Sequence, residues 1–433
     1  AGFGKTTLLA EWVHITGEDQ GSGNDALPRR FCWLSLDEQD NDPVRFLSYV
    51  IAALQTVQPD LNRQASAMLE SPQPPAPEAV LTWLINDMAA HSSALSICNE
   101  KLILVLDDYH VMTAEPVHQA MAFLLDHLPP SMHLVLLSRA DPPLPLARMR
   151  ARDQLTEVRA SDLRFTQKEA AAFLNQMMAL ELTPEDIVAL EMRTEGWIAG
   201  LQLAALALHT PRTPSAAATD EAGSAHRFIS AFTGSHHYIV DYLSEEVLNR
   251  QPEAVRSFLL QTSIVDRMNA SLCNALIGRE DGQAMLETLQ QGNLFIVPLD
   301  DERRWYRYHR LFADLLRSRL YRAQPERVPV LHRFASAWYE QQDDLEAAIG
   351  HALEAGDLAR TADLVEGEAE GMLMRGQVFT LLQWMDALPD ELMGQRPRLC
   401  VLHAWTLFLS GGALEAIESR LQAAEGAGDA VLG

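Results

Sequence analysis

Five consecutive apolar residues, Leu102-Ile103-Leu104-Val105-Leu106, stand between Lys101 and the acids Asp107-Asp108. So short an unbroken run leaves no polar face. It reads as a strand buried on both sides, the situation of a parallel sheet covered by helices. That commits the chain to an α/β domain with helical crossovers. The carboxyl end of such a strand opens on the crevice where open α/β sheets bind ligands. Asp107 and Asp108 therefore sit where chemistry is done, although two acids are also an ordinary way to end a strand.

A second motif decides between those readings. The chain opens Ala1-Gly2-Phe3-Gly4-Lys5-Thr6-Thr7-Leu8, which matches the second half of a phosphate-binding P-loop. Gly2 and Gly4 free the backbone to turn its N–H groups toward phosphate oxygens, and a helix starting near Lys5 adds its positive dipole end. Lys5 has the reach for the β- and γ-phosphates, and the Thr6 hydroxyl suits Mg²⁺. Gly-Lys-Thr alone also fits a glycine loop before an ordinary helix. Paired with Asp107-Asp108 it reads as an ATP/ADP site, with Asp107 as the Walker B metal ligand and Asp108 orienting or deprotonating the attacking water. The full motif calls for a residue five positions before Gly4, so the expectation is a chain that begins inside its own motif.

Other segments fill in the domain. Phe31 to Leu36 is an expected strand and 17–28 an expected loop. His133-Leu134-Val135-Leu136-Leu137-Ser138-Arg139 is a further strand, with Arg139 at its carboxyl end in reach of a γ-phosphate; an Arg solvating a loop is the other reading. Leu155 to Arg159 is a candidate fifth strand. Arg148, Arg150 and Arg152 fit a solvated helix face. We assign residues 1–160 to a P-loop NTPase domain with a parallel sheet and 161–210 to an AAA-like helical lid starting at a Thr166 cap. The proline- and alanine-rich stretch 211–226 is a linker.

Residues 227–328 carry helices, then apolar runs around Asp300-Asp301-Glu302 that form a hairpin, the pattern of a winged helix. Arg303, Arg304, Arg307, Arg310, Arg317, Arg319 and Arg322 make a basic stretch. The hairpin tip is acidic, however, and the helix before it has no basic residue, which favours an intramolecular role over DNA contact. The formal net charge of −25 argues the same way for the whole segment. From residue 329 to 433, Ala337-Trp338 with Leu345-Glu346-Ala347-Ala348-Ile349 recurs as Ala404-Trp405 with Leu414-Glu415-Ala416-Ile417. That offset fits two units of about 34 residues, the tetratricopeptide period; a non-repeating bundle is the alternative. No apolar run approaches the ~18 residues of a membrane span. Cys32, Cys98, Cys273 and Cys400 lie too far apart for a disulfide framework or zinc site, which fits a cytoplasmic location.

Taken together, these motifs resemble the MalT-like large ATP-binding regulators of the LuxR family, within the STAND class of signal-transduction ATPases. The matching text includes the opening motif, Trp33-Leu34-Ser35-Leu36-Asp37 with Asn41-Asp42-Pro43, Leu104-Val105-Leu106-Asp107-Asp108-Tyr109-His110, and Ser138-Arg139-Ala140-Asp141-Pro142-Pro143. Gly196-Trp197-Ile198-Ala199-Gly200-Leu201-Gln202 and Tyr306-Arg307-Tyr308-His309-Arg310-Leu311-Phe312 complete it. The resemblance implies a resting state closed around ADP. An inducer at the helical repeats, with ATP, opens the protein and lets it self-associate. A C-terminal helix-turn-helix, absent from this segment, contacts DNA, and slow hydrolysis resets the switch. It further implies that Gly200 and Leu201 approach adenine and that His309 contacts the β-phosphate of ADP. Gln202 stands where many such proteins have Pro, and Arg310 where they have Asp. An output of another kind, a fused kinase or cyclase or a partner-binding scaffold, is the alternative.

Overall fold

In the computed structural model, residues 2–18, 29–61, 63–71, 74–94, 101–209, 226–229, 232–234 and 236–432 are described. The expected loop 17–28, apart from Gly17 and Glu18, which end a helix, nearly all of the linker 211–226, and Cys98 lie outside them. The chain divides into two units, one of residues 1–232 with 289–294 and one of residues 233–288 with 295–433.

The first unit is built on a parallel sheet of order β1-β2-β3, with β1 Arg29–Ser35, β2 Lys101–Asp107 and β3 Met132–Leu136. Register runs from Cys32 opposite Leu104, and Leu104 opposite Leu134. The apolar run of β2 is buried as its composition requires, and its pleat divides it between two cores. Leu104 and Leu106 join the larger one with Phe46, Leu47, Ile51, Leu81, Leu84 and Met121. These come from α2 (Pro43–Val57), α4 (Pro77–Ala94) and α5 (Glu115–Asp126), with α3 (Arg63–Leu69) beside them. Ile103 and Val105 face the other way, against Leu9 and Trp12 of α1 (Lys5–Glu18). Each fully buried aliphatic side chain of this kind contributes roughly 1.5–3 kcal/mol.

Local chemistry sets the boundaries. Asp42 caps α2 by accepting from the Arg45 N–H, with Pro43 supplying the first helical φ. After β3, α6 (Leu146–Ala151) presents Arg148 to Asp126 and Arg150 to Glu157, as expected of a solvated face. Residues 155–159 are not a strand. Arg159 pairs with both Asp141 and Glu157, and these ion pairs hold the segment in irregular backbone. Thr166 forms a full capping box with Glu169 at the start of α7 (Gln167–Ala171). A π-turn, α8 (Pro184–Thr194) and α9 (Ile198–His209) follow.

The second unit begins with α10 (His237–Leu243), α11 (Glu253–Thr262), α12 (Ala270–Ile277) and α13 (Gly282–Gln291, whose last residues belong to the first unit). The hairpin β4 (Ile296–Pro298) and β5 (Tyr306–Tyr308) is antiparallel, and Tyr306 also bridges Met268. The winged-helix topology is thus present. Asp300 closes the tip by accepting from the N–H groups of Arg304 and Trp305, each at 2.8 Å. Several arginines of the basic stretch are turned inward. Arg317 donates to Ser263 O and Asp266, and Arg319 to Ser244.

Helix α14 (Arg310–Ala323) leads into an array of antiparallel hairpins. These are α15 (Arg327–Gln341) with α16 (Leu345–Glu354), α17 (Leu358–Met374) with α18 (Val378–Asp386), and, after the short α19 (Asp390–Gly394), α20 (Pro397–Ser410) with α21 (Leu414–Leu432). The matched Ala-Trp pairs fall on α15 and α20, so a whole hairpin lies between them. The turn residues with left-handed backbone, Asp343, Gly376 and Gly411, recur at about the 34-residue period.

Candidate nucleotide-binding site

The carboxyl end of β2 and the start of α1 meet at one place in the first unit. Gly2 and Gly4 hold φ of 67° and 72°, left-handed values that a side chain disfavours. Helix α1 then begins at Lys5, and Leu8 N–H bonds Gly4 O at 2.8 Å. Phe3 lies half-buried between the glycines, while Thr6 and Thr7 are exposed on the first turn. The Thr6 hydroxyl donates to Asp107 Oδ1 at 3.4 Å. Two residues set far apart in the sequence are thereby neighbours, because β2 ends beside the helix that the glycine loop launches.

Electrostatics follow from this crowding. Burial, and then the charge of Asp108, push the Asp107 carboxyl upward, while the Asp108 N–H (2.9 Å), the Thr6 hydroxyl and Lys5 pull the other way. The Lys5 ammonium is pushed down by burial and by the charge of Arg139, against the pull of Asp108 and Asp107. Arg139, just past the end of β3, thus belongs to the same cluster. Asp108 is more exposed than Asp107 and takes the left-handed region, φ 57° and ψ 35°. Its carboxylate lies 3.6 Å from His110 Nδ1.

The first residues of α9 approach the glycine loop. Ala199 N–H donates to Gly2 O at 3.2 Å, and a methyl at Gly4 would rest 3.6 Å from Ile198 Cγ2. It is therefore Ile198 and Ala199, at the start of α9, that meet the glycine loop. Leu201 is fully buried, and Gly200 packs so tightly on Trp197 that a Cβ would come within 2.7 Å of its ring. His309 belongs to the second unit. It is 2% exposed, lies edge-on to Phe295 at 5.7 Å, and its N–H bonds Phe295 O at 2.8 Å.

Sequence reasoning also passed over Asn41, whose amide reaches across to the loop after Asp108. Its only sequence trace was membership of the Asn-Asp-Pro text. Chemically, the site gathers hard oxygens, an ammonium, a guanidinium and a helix N-terminus at one end of a parallel sheet. That is the donor set for a phosphate chain with a hard divalent cation.

The MalT winged-helix domain family matches residues 244–328. The HTH-type transcriptional regulator MalT of Serratia proteamaculans is 36% identical over 405 residues, covering 94% of this chain and 42% of that protein. Over nearly its whole length the chain is thus similar to MalT-type regulators, and residues 244–328 match their winged-helix domain. The serine/threonine-protein kinase PknK of Mycobacterium tuberculosis is 35% identical over 431 residues, 98% of this chain and 36% of the kinase. The MalT-like chain therefore spans well under half the length of these relatives. A solved signal-transduction ATPase with a tetratricopeptide-repeat sensor from Pyrococcus horikoshii matches at a TM-score of 0.35 and 15% identity. It covers 98% of this chain and 55% of that one. Among the described residues, no helix is long and apolar enough to cross a membrane.

Proposed function

We propose that this MalT-like region is an ATP-dependent switch that binds ATP or ADP with Mg²⁺ between the glycine loop and the end of β2. The observation that carries the reading is the approach of the Thr6 hydroxyl to Asp107, 3.4 Å apart beside Lys5. A P-loop Thr and a Walker B Asp are the two protein groups that share a nucleotide-bound Mg²⁺. A buried carboxylate crowded by Asp108 is also short of positive charge. Thr6 and Asp107 would hold Mg²⁺, which when bound neutralises charge on the phosphates.

The remaining roles belong to the chain. Backbone N–H groups from Gly2 to Thr7 receive phosphate oxygens, and Lys5 carries its charge to the β/γ end. Asp108, the more exposed acid, orients or deprotonates the attacking water, and Arg139 steadies the γ-phosphoryl oxygens. The lid closes over the base side near Gly200 and Leu201, with Ile198 and Ala199 tying it to the loop. His309 reports the nucleotide's β-phosphate to the winged helix. The helical hairpins receive an inducer. The ATP state self-associates, and DNA is contacted through a module outside this region. Hydrolysis resets the switch and turns over slowly.

Similarity to both a transcriptional regulator and a kinase over the same region supports a switch module that serves more than one output. A kinase output is accordingly the second reading. In the full-length protein, Lys5→Ala should abolish ATP binding. Asp108→Ala should keep ATP while slowing single-turnover hydrolysis by about 100-fold or more. Wild-type hydrolysis by Asp108→Ala would remove the assigned role of that acid.

A further inference from the structure

The loop that carries Asp108 is braced from outside by one side chain. Left-handed backbone costs most residues with a Cβ about 1–2 kcal/mol and Asp less, so the contacts that fix this turn decide how firmly Asp108 is held in it. The Asp108 carbonyl accepts from the Val111 N–H at 3.0 Å, which closes the turn Tyr109–Val111. Asn41 then holds that turn. Its Nδ2 donates to Val111 O at 3.0 Å and to Glu38 O at 3.0 Å. Its Oδ1 accepts from the N–H groups of Thr113 at 2.6 Å and Ala114 at 2.9 Å. Both amide protons and both lone pairs are used.

Asn41 is itself fixed. The turn it ends is closed by a capping box between Asp37 and Asp40, and buried Asp40 pairs with Arg45 at 3.0 Å. Leu36 N–H bonds Asp107 O at 3.1 Å. A rigid turn from the end of β1 thus sets the backbone just beyond the acidic pair.

We propose that Asn41 is a positioning residue for hydrolysis, holding Asp108 in its left-handed conformation through the Val111 peptide. This rests on the reading of Asp108 as the water-orienting acid. A residue that merely staples the loop would weaken folding and nucleotide affinity together. A brace acting through Asp108 lowers the hydrolysis rate while leaving affinity in place.

The test compares Asn41→Ala, Asn41→Asp, Asp108→Ala and the double variant Asn41→Ala/Asp108→Ala in the full-length protein. ATP affinity, single-turnover hydrolysis and melting temperature are read for each. Asn41→Ala should slow hydrolysis between about tenfold and 100-fold with ATP affinity within about twofold. Asn41→Asp keeps the acceptor for Thr113 and Ala114 but cannot donate to Val111 O, so it too should be slowed. It carries the comparison if the alanine variant does not fold. In the Asp108→Ala background, Asn41→Ala should cost nothing more, because groups acting as a unit are not additive. Wild-type hydrolysis in both Asn41 variants, multiplying losses in the double variant, or affinity falling in step with rate would each overturn the proposal. Normal hydrolysis by Asp108→Ala alone would remove the functional reading beneath it, a failure distinguishable from these.

Discussion

His332 and His351 face each other through their Nδ1 atoms at 2.9 Å, and the ring of Tyr339 stacks on His351 at 5.3 Å. Only one proton fits between the two nitrogens. Burial pushes both imidazoles down, His351 to about 4, with the neighbouring His332 adding to the effect. Arg317 acts in the same direction, against Asp266 on His351 and Glu354 on His332. Below the ordinary histidine value of about 6.5, the unfolded chain binds protons that the folded chain refuses. The stability this pair contributes is complete above that value and declines as pH falls toward 4. Melting temperature should therefore drop between pH 7.5 and pH 5, and His351→Phe, which keeps the ring on Tyr339, should drop less. An equal drop in both proteins would show that the pair does not titrate in this window. At this scale the meeting of Thr6 with Asp107 was legible because each stands in a short motif of its own, Gly-Lys-Thr and an apolar run ended by acids. Asn41 was not, because its partners lie some 70 residues away and an amide has no spacing of its own.

Elements were legible where pattern and burial agree. The apolar run of β2 could only be a central strand, and the helices around it repeat at helical spacing. Residues 155–159 misled because the β-branched Thr156 and Val158 suit a strand, while Arg159 pairs with Asp141 and Glu157 and the segment joins no neighbouring strand. At α9 the motif text gave no hint of which residues meet the glycine loop, because that depends on how the helix packs. The helix buries Leu201 and turns its N-terminal residues Ile198 and Ala199 toward the glycine loop. Gly196 shows what sets the lid's entry angle. It holds φ 69°, its carbonyl accepts from Phe165 N–H at 2.8 Å, and a Cβ there would lie 2.5 Å from Phe165 O. Gly196→Ala should lower stability by roughly 2–4 kcal/mol, from positive φ plus a backbone clash. Denaturant titration checks this, and a change under 0.5 kcal/mol would mean that the lid start adapts freely.

The whole chain is an acidic molecule, with a formal net charge of −25. Arg317 and Arg319 of the basic stretch are bonded within the second unit, while Arg303, Arg304, Arg310 and Arg322 stay exposed. The chain's organisation, a parallel sheet followed by helices, a winged helix and helical hairpins, follows from different residue patterns in one sequence. The repeat array was legible only through the spacing of two matching segments, whose offset of two ~34-residue units leaves room for the hairpin that lies between them. The central claim is that the glycine loop and β2 jointly hold a nucleotide with its metal. ATP affinity of the full-length protein, measured by calorimetry with Mg²⁺ and again with a chelator, tests it most directly. Mg²⁺ should tighten binding about tenfold or more, ~1.4 kcal/mol, and Thr6→Ala should lose most of that gain while still binding metal-free ATP. An ATP affinity indifferent to Mg²⁺, or a Thr6→Ala variant that keeps the full gain, would contradict the account.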